Sequence, residues 1–232
     1  MKTLHFLCAG AAQGLVKALQ DRFTAETGAA LQGRFGAVGA MKEALLAGEP
    51  CDLMVVTDAM ISALCADGLL LGDARAPLGQ VRTGVAVREG SMLPDVSTPE
   101  ALKAALLAAD AVYFPDPVRA TAGIHFAKLM QALGVHDALQ ARFKNFPNGA
   151  TSMRELAAST AANPIGCTQV SEILYSPGVA LVGALPRAFE LSTLYSAAVS
   201  ASAAEPELAR SLLALLSGPA SQALREAGGF EP

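Results

Sequence analysis

Between Leu7 and Leu15 the chain reads LCAGAAQGL: the apolar run Leu4-His5-Phe6-Leu7 gives way to a helical pattern through a turn built almost wholly of small residues. Leu15, Leu19 and Phe23 then recur at four-residue spacing with Val16 alongside, and Gly28 follows. This pattern predicts a strand, a tight turn and an amphipathic helix closed by a glycine C-cap. The turn is stripped of bulk either because two elements pack closely there or because a ligand must approach the backbone.

The pattern repeats. A strand from Leu31 to Phe35 leads into the small-residue turn Gly36-Ala37-Val38-Gly39-Ala40 and a helix with Met41, Ala44 and Leu45 on one side. Asp52-Leu53-Met54-Val55-Val56 is a short apolar strand, and Thr57 or Asp58 caps a helix carrying Ile61, Leu64 and Cys65. Thr98-Pro99-Glu100 opens another helix, Ala111 to Phe114 is a strand, Asp116 to Gly123 a loop, and Ile124 to Leu133 a helix. Met153 to Ala162 reads as a helix, Pro164 to Val170 as a turn and strand, Leu194 to Ala201 as a strand, and Leu208 to Leu216 as a late helix. Such alternation predicts an α/β fold with a largely parallel sheet. Gly84 to Arg88 and Leu191 to Ala198 are the places where the chain is expected to pass between two lobes, 1–83 plus 192–232 and 84–191.

The 232 residues suffice for one large domain or two small ones, and a composition 52% hydrophobic and 16% charged excludes disorder. The net charge of −4 with scattered Lys and Arg leaves no basic stripe for nucleic acid, and no apolar stretch reaches the roughly 18 residues of a membrane span. Cys8, Cys51, Cys65 and Cys167 form no C-x-x-C pair, so they read as buried free thiols, which leans towards a reducing compartment. His5, His125 and His136 have no metal-ligand spacing, and neither a G-x-S-x-G elbow nor a Walker sequence occurs. No metal, cofactor or catalytic motif is expected.

Helix N-termini offer a different chemistry. Their first amides lack intrahelical partners and the macrodipole is positive there, so several such ends bind an anion without a basic side chain. Close packing alone explains any one small-residue turn. Two in succession, with a third at Thr121-Ala122-Gly123, favour a binding site at the carboxyl ends of the strands.

Across nearly its whole length the chain resembles the type II periplasmic solute-binding proteins, in particular the molybdate-binding branch. The likeness is carried by the AGAAQGL turn, LLAGEPCDLMVVTD, FPDPVRATAGIHFAKLMQALG, NPIGCTQVSEI and the closing LLSGPASQALREAGGF, in that order. The resemblance implies two doubly wound α/β lobes with mainly parallel sheets, joined by two crossing strands, with a ligand in the cleft between them. It places the first anion-binding turn on Gly10, Ala11 and Ala12, the second on Ala37, Val38 and Gly39, and the third on Thr121, Ala122 and Gly123. Further contacts fall on Ala150, Thr151 and Gln169. Molybdate-binding relatives carry serines in the first two turns and a tyrosine in the last, where this chain has Ala11, Val38 and Gln169. Each lost hydroxyl forfeits a hydrogen bond worth about 1.5–3 kcal/mol to a charged acceptor. The expected ligand is therefore an organic carboxylate more than molybdate, with Arg119 as a bidentate partner, Thr121, Thr151, Ser152 and Ser171 as further polar contacts, and Arg34 as a weaker candidate.

The resemblance also implies a monomer delivering its small anionic ligand to an ABC transporter permease. One branch resembles aconitate isomerase, for which His125, Cys8 and Glu172 are the candidate proton carriers. The expected compartment is the periplasm if a leader has been removed, and the cytoplasm if the chain is complete as written.

Overall fold

A computed structural model describes residues 2–232. In chain order, β1 (Thr3–Ala9) runs through a 3-10 turn (Gly10–Ala12) into α1 (Gln13–Thr27), followed by β2 (Ala30–Gly36), α2 (Val38–Leu46), β3 (Leu53–Thr57), α3 (Asp58–Ala66) and β4 (Leu70–Arg88). Next come α4 (Pro99–Ala108), β5 (Ala111–Pro115), α5 (Thr121–Ala132), α6 (His136–Leu139), β6 (Phe143–Phe146), α7 (Gly149–Ala157) and β7 (Pro164–Gln169). The chain closes with α8 (Val170–Tyr175), β8 (Val179–Ala184), β9 (Ser192–Ser200), α9 (Pro206–Ser217) and α10 (Gln222–Ala227). The fold is mixed α/β, and its central pairings are mostly parallel.

Two compact units divide the chain: one runs to Val81 and resumes at Thr193–Pro232, the other is Arg82–Ser192. In the first, β1 pairs in parallel with β2 and β3, and β3 pairs antiparallel with β9. Leu4, Phe6, Cys8, Leu53 and Val55 pack with Leu15, Leu19 and Phe23 of α1 and with Leu212 and Leu216 of α9. Gly28 ends α1 at φ 69°, a left-handed conformation that a residue with a Cβ adopts only at a cost. Asp52 is buried, and its carboxylate accepts the amides of His5 (2.7 Å), Ala204 (2.6 Å) and Glu205 (3.0 Å). A charge with three amide donors is satisfied in the interior, and it ties the start of β3 to β1 and to the start of α9.

In the second unit β5 lies between β7 and β6, parallel to both, and β4 pairs antiparallel with β7 and β8. Alternation along β5 separates two packing faces. Val112 and Phe114 meet Phe126, Leu129 and Met130 of α5. Ala111 and Tyr113 meet Met153 and Leu156 of α7. The helices α5 and α7 therefore cover opposite faces of the same strands.

Several boundaries differ from the sequence expectation. Residues 121–123 are the first turn of α5 rather than loop, and α7 is Gly149–Ala157 rather than 153–162. Strand β4 is 19 residues long, of which only the last five stand out in the sequence; β6 and β8 are additional. The early part of β4 has an irregular burial pattern, so neither alternation nor a continuous apolar run marks it.

Candidate functional site

In the first unit Ala9 and Gly36 face one another at the ends of the parallel pair β1 and β2, so the turns that follow leave neighbouring strand ends. Gly10, Ala11 and Ala12 form the 3-10 turn, preceded by Ala9; Ala37 is the N-cap of α2, and Val38 and Gly39 are its first residues. Neither end has a capping side chain. Ala11 (4% exposed) and Ala12 (0%) are also part of the core, so their small size serves packing as well as access. Arg34, the weaker carboxylate candidate, is paired with Glu49.

In the second unit the ends of β7, β5 and β6 lie side by side, and the segments after them lead into α8, α5 and α7. Ala120 is the N-cap of α5 and supplies no capping bond to Thr121, Ala122 or Gly123. Gly123 is small for a reason internal to the fold: a Cβ there would lie 2.3 Å from the Pro115 carbonyl oxygen and 2.4 Å from that of Asp116. The preceding loop is ordered by Asp116, whose Oδ1 accepts the amides of Val118 (2.7 Å) and Arg119 (3.1 Å), with the Arg119 side chain exposed.

The start of α7 is different. Asn148 Oδ1 accepts the Thr151 amide (2.8 Å), and the Asn148 carbonyl accepts both the amide and the hydroxyl of Ser152 (3.0 Å each). Glu172, on α8 and 5% exposed, accepts the Thr168 hydroxyl, and its carboxylate lies beside the start of α7. Burial pushes its carboxyl above the ordinary glutamate value, opposed by the Thr168 hydroxyl and by the neighbouring backbone amides. Gly149 makes room for this group, since a Cβ there would lie 1.9 Å from Glu172 Oε2 and 2.0 Å from Thr168 Oγ1. The amide of Thr151, one of the expected contact residues, is thus engaged within the protein.

Gln169 and Ser171 are buried at the end of β7 and in the first turn of α8. The Ser171 hydroxyl (4% exposed) has no hydrogen-bond partner among the described residues, and neither does that of Thr83, which sits opposite Gln169 in the β4–β7 register. A buried hydroxyl without a partner costs about 1–3 kcal/mol. Thr83 is not legible as a site residue, because nothing in the sequence pairs it with Gln169.

The proton-carrier candidates are in unequal positions. Burial holds the Cys8 thiol far above its ordinary range, so it stays protonated. The Glu172 carboxyl is buried and hydrogen-bonded by Thr168. His125 Nε2 donates to the Phe189 carbonyl (2.7 Å), which leaves Nδ1 as the acceptor nitrogen. Among the described residues no group of three or more His, Cys, Asp and Glu could hold a metal ion, and no helix is long and apolar enough to cross a membrane.

Residues 4–231 match the family described as bacterial extracellular solute-binding protein. The chain belongs to this solute-binding family. A curated relative, aconitate isomerase of Pseudomonas sp., is 28% identical over 236 residues, covering 99% of this chain and 88% of that protein. Among solved structures the periplasmic molybdate-binding protein of Azotobacter vinelandii superposes with a TM-score of 0.80 at 19% identity, over 99% of both chains. PEB3 with bound L-phospholactate superposes at 0.69 with 13% identity, again over 99% of both chains. At these identities the structural matches establish the fold of this solute-binding protein, and its ligand must be argued from the residues above.

Proposed function

We propose that this solute-binding protein takes a small organic carboxylate at its uncapped helix N-termini and presents it to a transporter of the ABC type. The observation that carries the reading is the shared absence of a capping side chain at the turn after β1, at α2 and at α5, each preceded by alanine. Alanine is among the poorest N-caps, and three such ends at strand termini leave amides for an external anion. Ala11 and Val38 bring no hydroxyl to surround a tetrahedral oxyanion, while Arg119 and Thr121 flank the α5 end with groups suited to a carboxylate. A neighbour of this fold binds L-phospholactate, an organic acid.

Thermal-shift titration against di- and tricarboxylates, molybdate, tungstate and sulfate tests the reading. A ligand at 100 times its dissociation constant adds about 2.7 kcal/mol of stability. A large shift with a carboxylate and none with micromolar molybdate is expected. The reverse result would sink it.

A second reading is favoured by the aconitate isomerase relative and by His125, the one candidate proton carrier that is only partly buried. In it, the fixed His125 imidazole removes a proton from the methylene carbon of a bound tricarboxylate and returns it at the far end of the allylic system, so that the double bond moves. Incubation with cis- or trans-aconitate separates the two readings: interconversion supports an isomerase, and binding without turnover supports a carrier.

A further inference from the structure

Thr83 is 1% exposed, and its hydroxyl has no hydrogen-bond partner among the described residues. Its backbone is paired, the amide donating to the Leu191 carbonyl (2.9 Å) and the carbonyl accepting the Leu185 amide (3.1 Å). The direction of the side chain follows from the alternation of β4. Val85 belongs to the cluster that holds Phe126 and Leu129 of α5, whereas Gly84 faces α8, where a Cβ would come within 2.9 Å of Val170 Cγ2. Thr83 therefore points to the α5 side, in register with Gln169 at the end of β7. Because α5 follows β5 and β5 runs parallel to β7, the first turn of α5 starts at this same end of the sheet. The segment 185–191 is tied to both: the Phe189 carbonyl accepts His125 of α5, and the Leu191 carbonyl accepts the Thr83 amide. Ser171, two residues beyond Gln169 and 4% exposed, adds a second hydroxyl without a partner among the described residues.

Buried hydroxyls ordinarily find partners, so an orphan beside an uncapped helix end calls for a group from outside the chain. The kind of group follows from donor and acceptor counting. Helix amides only donate, which suits a carboxylate; a hydroxyl both donates and accepts, as does the Gln169 carboxamide, and an alcohol needs both. Thr83, Gln169 and Ser171 are all uncharged, so they suit a neutral polar group better than a second carboxylate, whose burial would call for a compensating charge. We propose that Thr83 is a specificity-determining residue that binds the hydroxyl of a small hydroxycarboxylate whose acid group lies on the α5 amides, with Gln169 and Ser171 beside it. This deepens the proposed function and rests on it: the ligand is narrowed from organic carboxylates at large to those that also carry an alcohol. A site built to meet an alcohol rejects the analogue lacking it, because its buried polar groups are then left unpaired.

The test measures by calorimetry the binding of paired probes to the full chain: malate against succinate, and citrate against tricarballylate, each pair differing by one hydroxyl. Wild type should bind the hydroxylated member of at least one pair about tenfold more tightly. Thr83→Val keeps the shape and removes the hydroxyl, so that preference should fall to about twofold or less, while Thr83→Ser should retain it. The ligand-free Thr83→Val protein should melt no lower than wild type, since a buried orphan has been removed; a clearly lower melting temperature would mean that the hydroxyl already has a partner, and overturns the proposal. So does a preference that survives in Thr83→Val. If Thr83→Val does not fold, Thr83→Ala is read by the same ratio. Carboxylates bound by wild type without any preference for the hydroxyl overturn this inference alone, whereas binding of none of the four probes overturns the proposed function with it.

Discussion

Two helices of the second unit, α5 and α7, begin in corresponding places and in opposite states. Each follows one strand of the parallel pair β5 and β6, and each covers one face of the β5 side chains. The α7 end is capped by Asn148, with the buried Glu172 carboxylate beside Gly149, whereas the α5 end has Ala120 where a cap would be. A closed end contributes stability to the fold; an open one forgoes about 1 kcal/mol of capping and keeps its amides for something else. The comparison separates helix ends built to hold the protein together from those available for binding.

The largest effect is expected where the closed end is forced open. Gly149→Ala pushes a methyl group into Glu172 and Thr168, and should cost about 3 kcal/mol in urea denaturation, at the upper end of the usual overpacking range. A loss under about 0.5 kcal/mol would mean that Glu172 swings away freely, and the closed end would then not be a fixed structure.

Glu172 should also impose a pH dependence. Its carboxyl titrates above the ordinary value of 4.5 in the folded chain, so the native state holds that proton more tightly than the unfolded state. Its contribution to stability is fully present below the unfolded value and is lost as pH rises through the higher native one. The slope is at most about 1.4 kcal/mol per pH unit for one proton. Glu172→Gln should remove this segment from a plot of unfolding free energy against pH; a slope unchanged in the variant would assign it to another group.

Smaller effects come from exchanging the caps themselves. Asn148→Ala removes the side-chain bond to Thr151 and should destabilise by about 1 kcal/mol, read as a lower denaturation midpoint at constant m. Ala120→Ser offers α5 the cap it lacks and should stabilise the ligand-free protein by about 0.5 kcal/mol while weakening carboxylate binding by competing for the Ala122 or Gly123 amide. Stabilisation without loss of affinity would show that the α5 end does not bind the ligand.

The same contrast explains which boundaries are legible in the sequence. Helices α3 and α4 start at Thr57 and Thr98, whose hydroxyls accept the amides of Met60 and Ala101, and those residues mark both starts in the sequence itself. The sequence pattern puts the start of α5 three residues late, because Ala120 carries no start signal and Thr121-Ala122-Gly123 resembles a turn. The missing cap that hides the boundary is also the feature that makes this end a candidate site. At Gly123 the sequence pattern points to ligand access, and at Gly149 it points to nothing in particular. Both glycines answer instead to backbone and carboxylate atoms within the unit.

By itself, the order of apolar runs, small-residue turns and amphipathic helices determined the α/β class, because hydrophobic periodicity and strand-helix alternation are local properties of the chain. It also located the turns where anion-binding amides occur. Only the tertiary structure decided which of those amides are available. That depends on groups distant in sequence meeting at one point: the Glu172 carboxylate lying against Gly149, Thr83 lying opposite Gln169, and Phe189 orienting His125. No periodicity encodes such meetings; they follow from strand order and register, and these separate the LCAGAAQGL turn, with no cap, from the start of α7, which holds a carboxylate of its own.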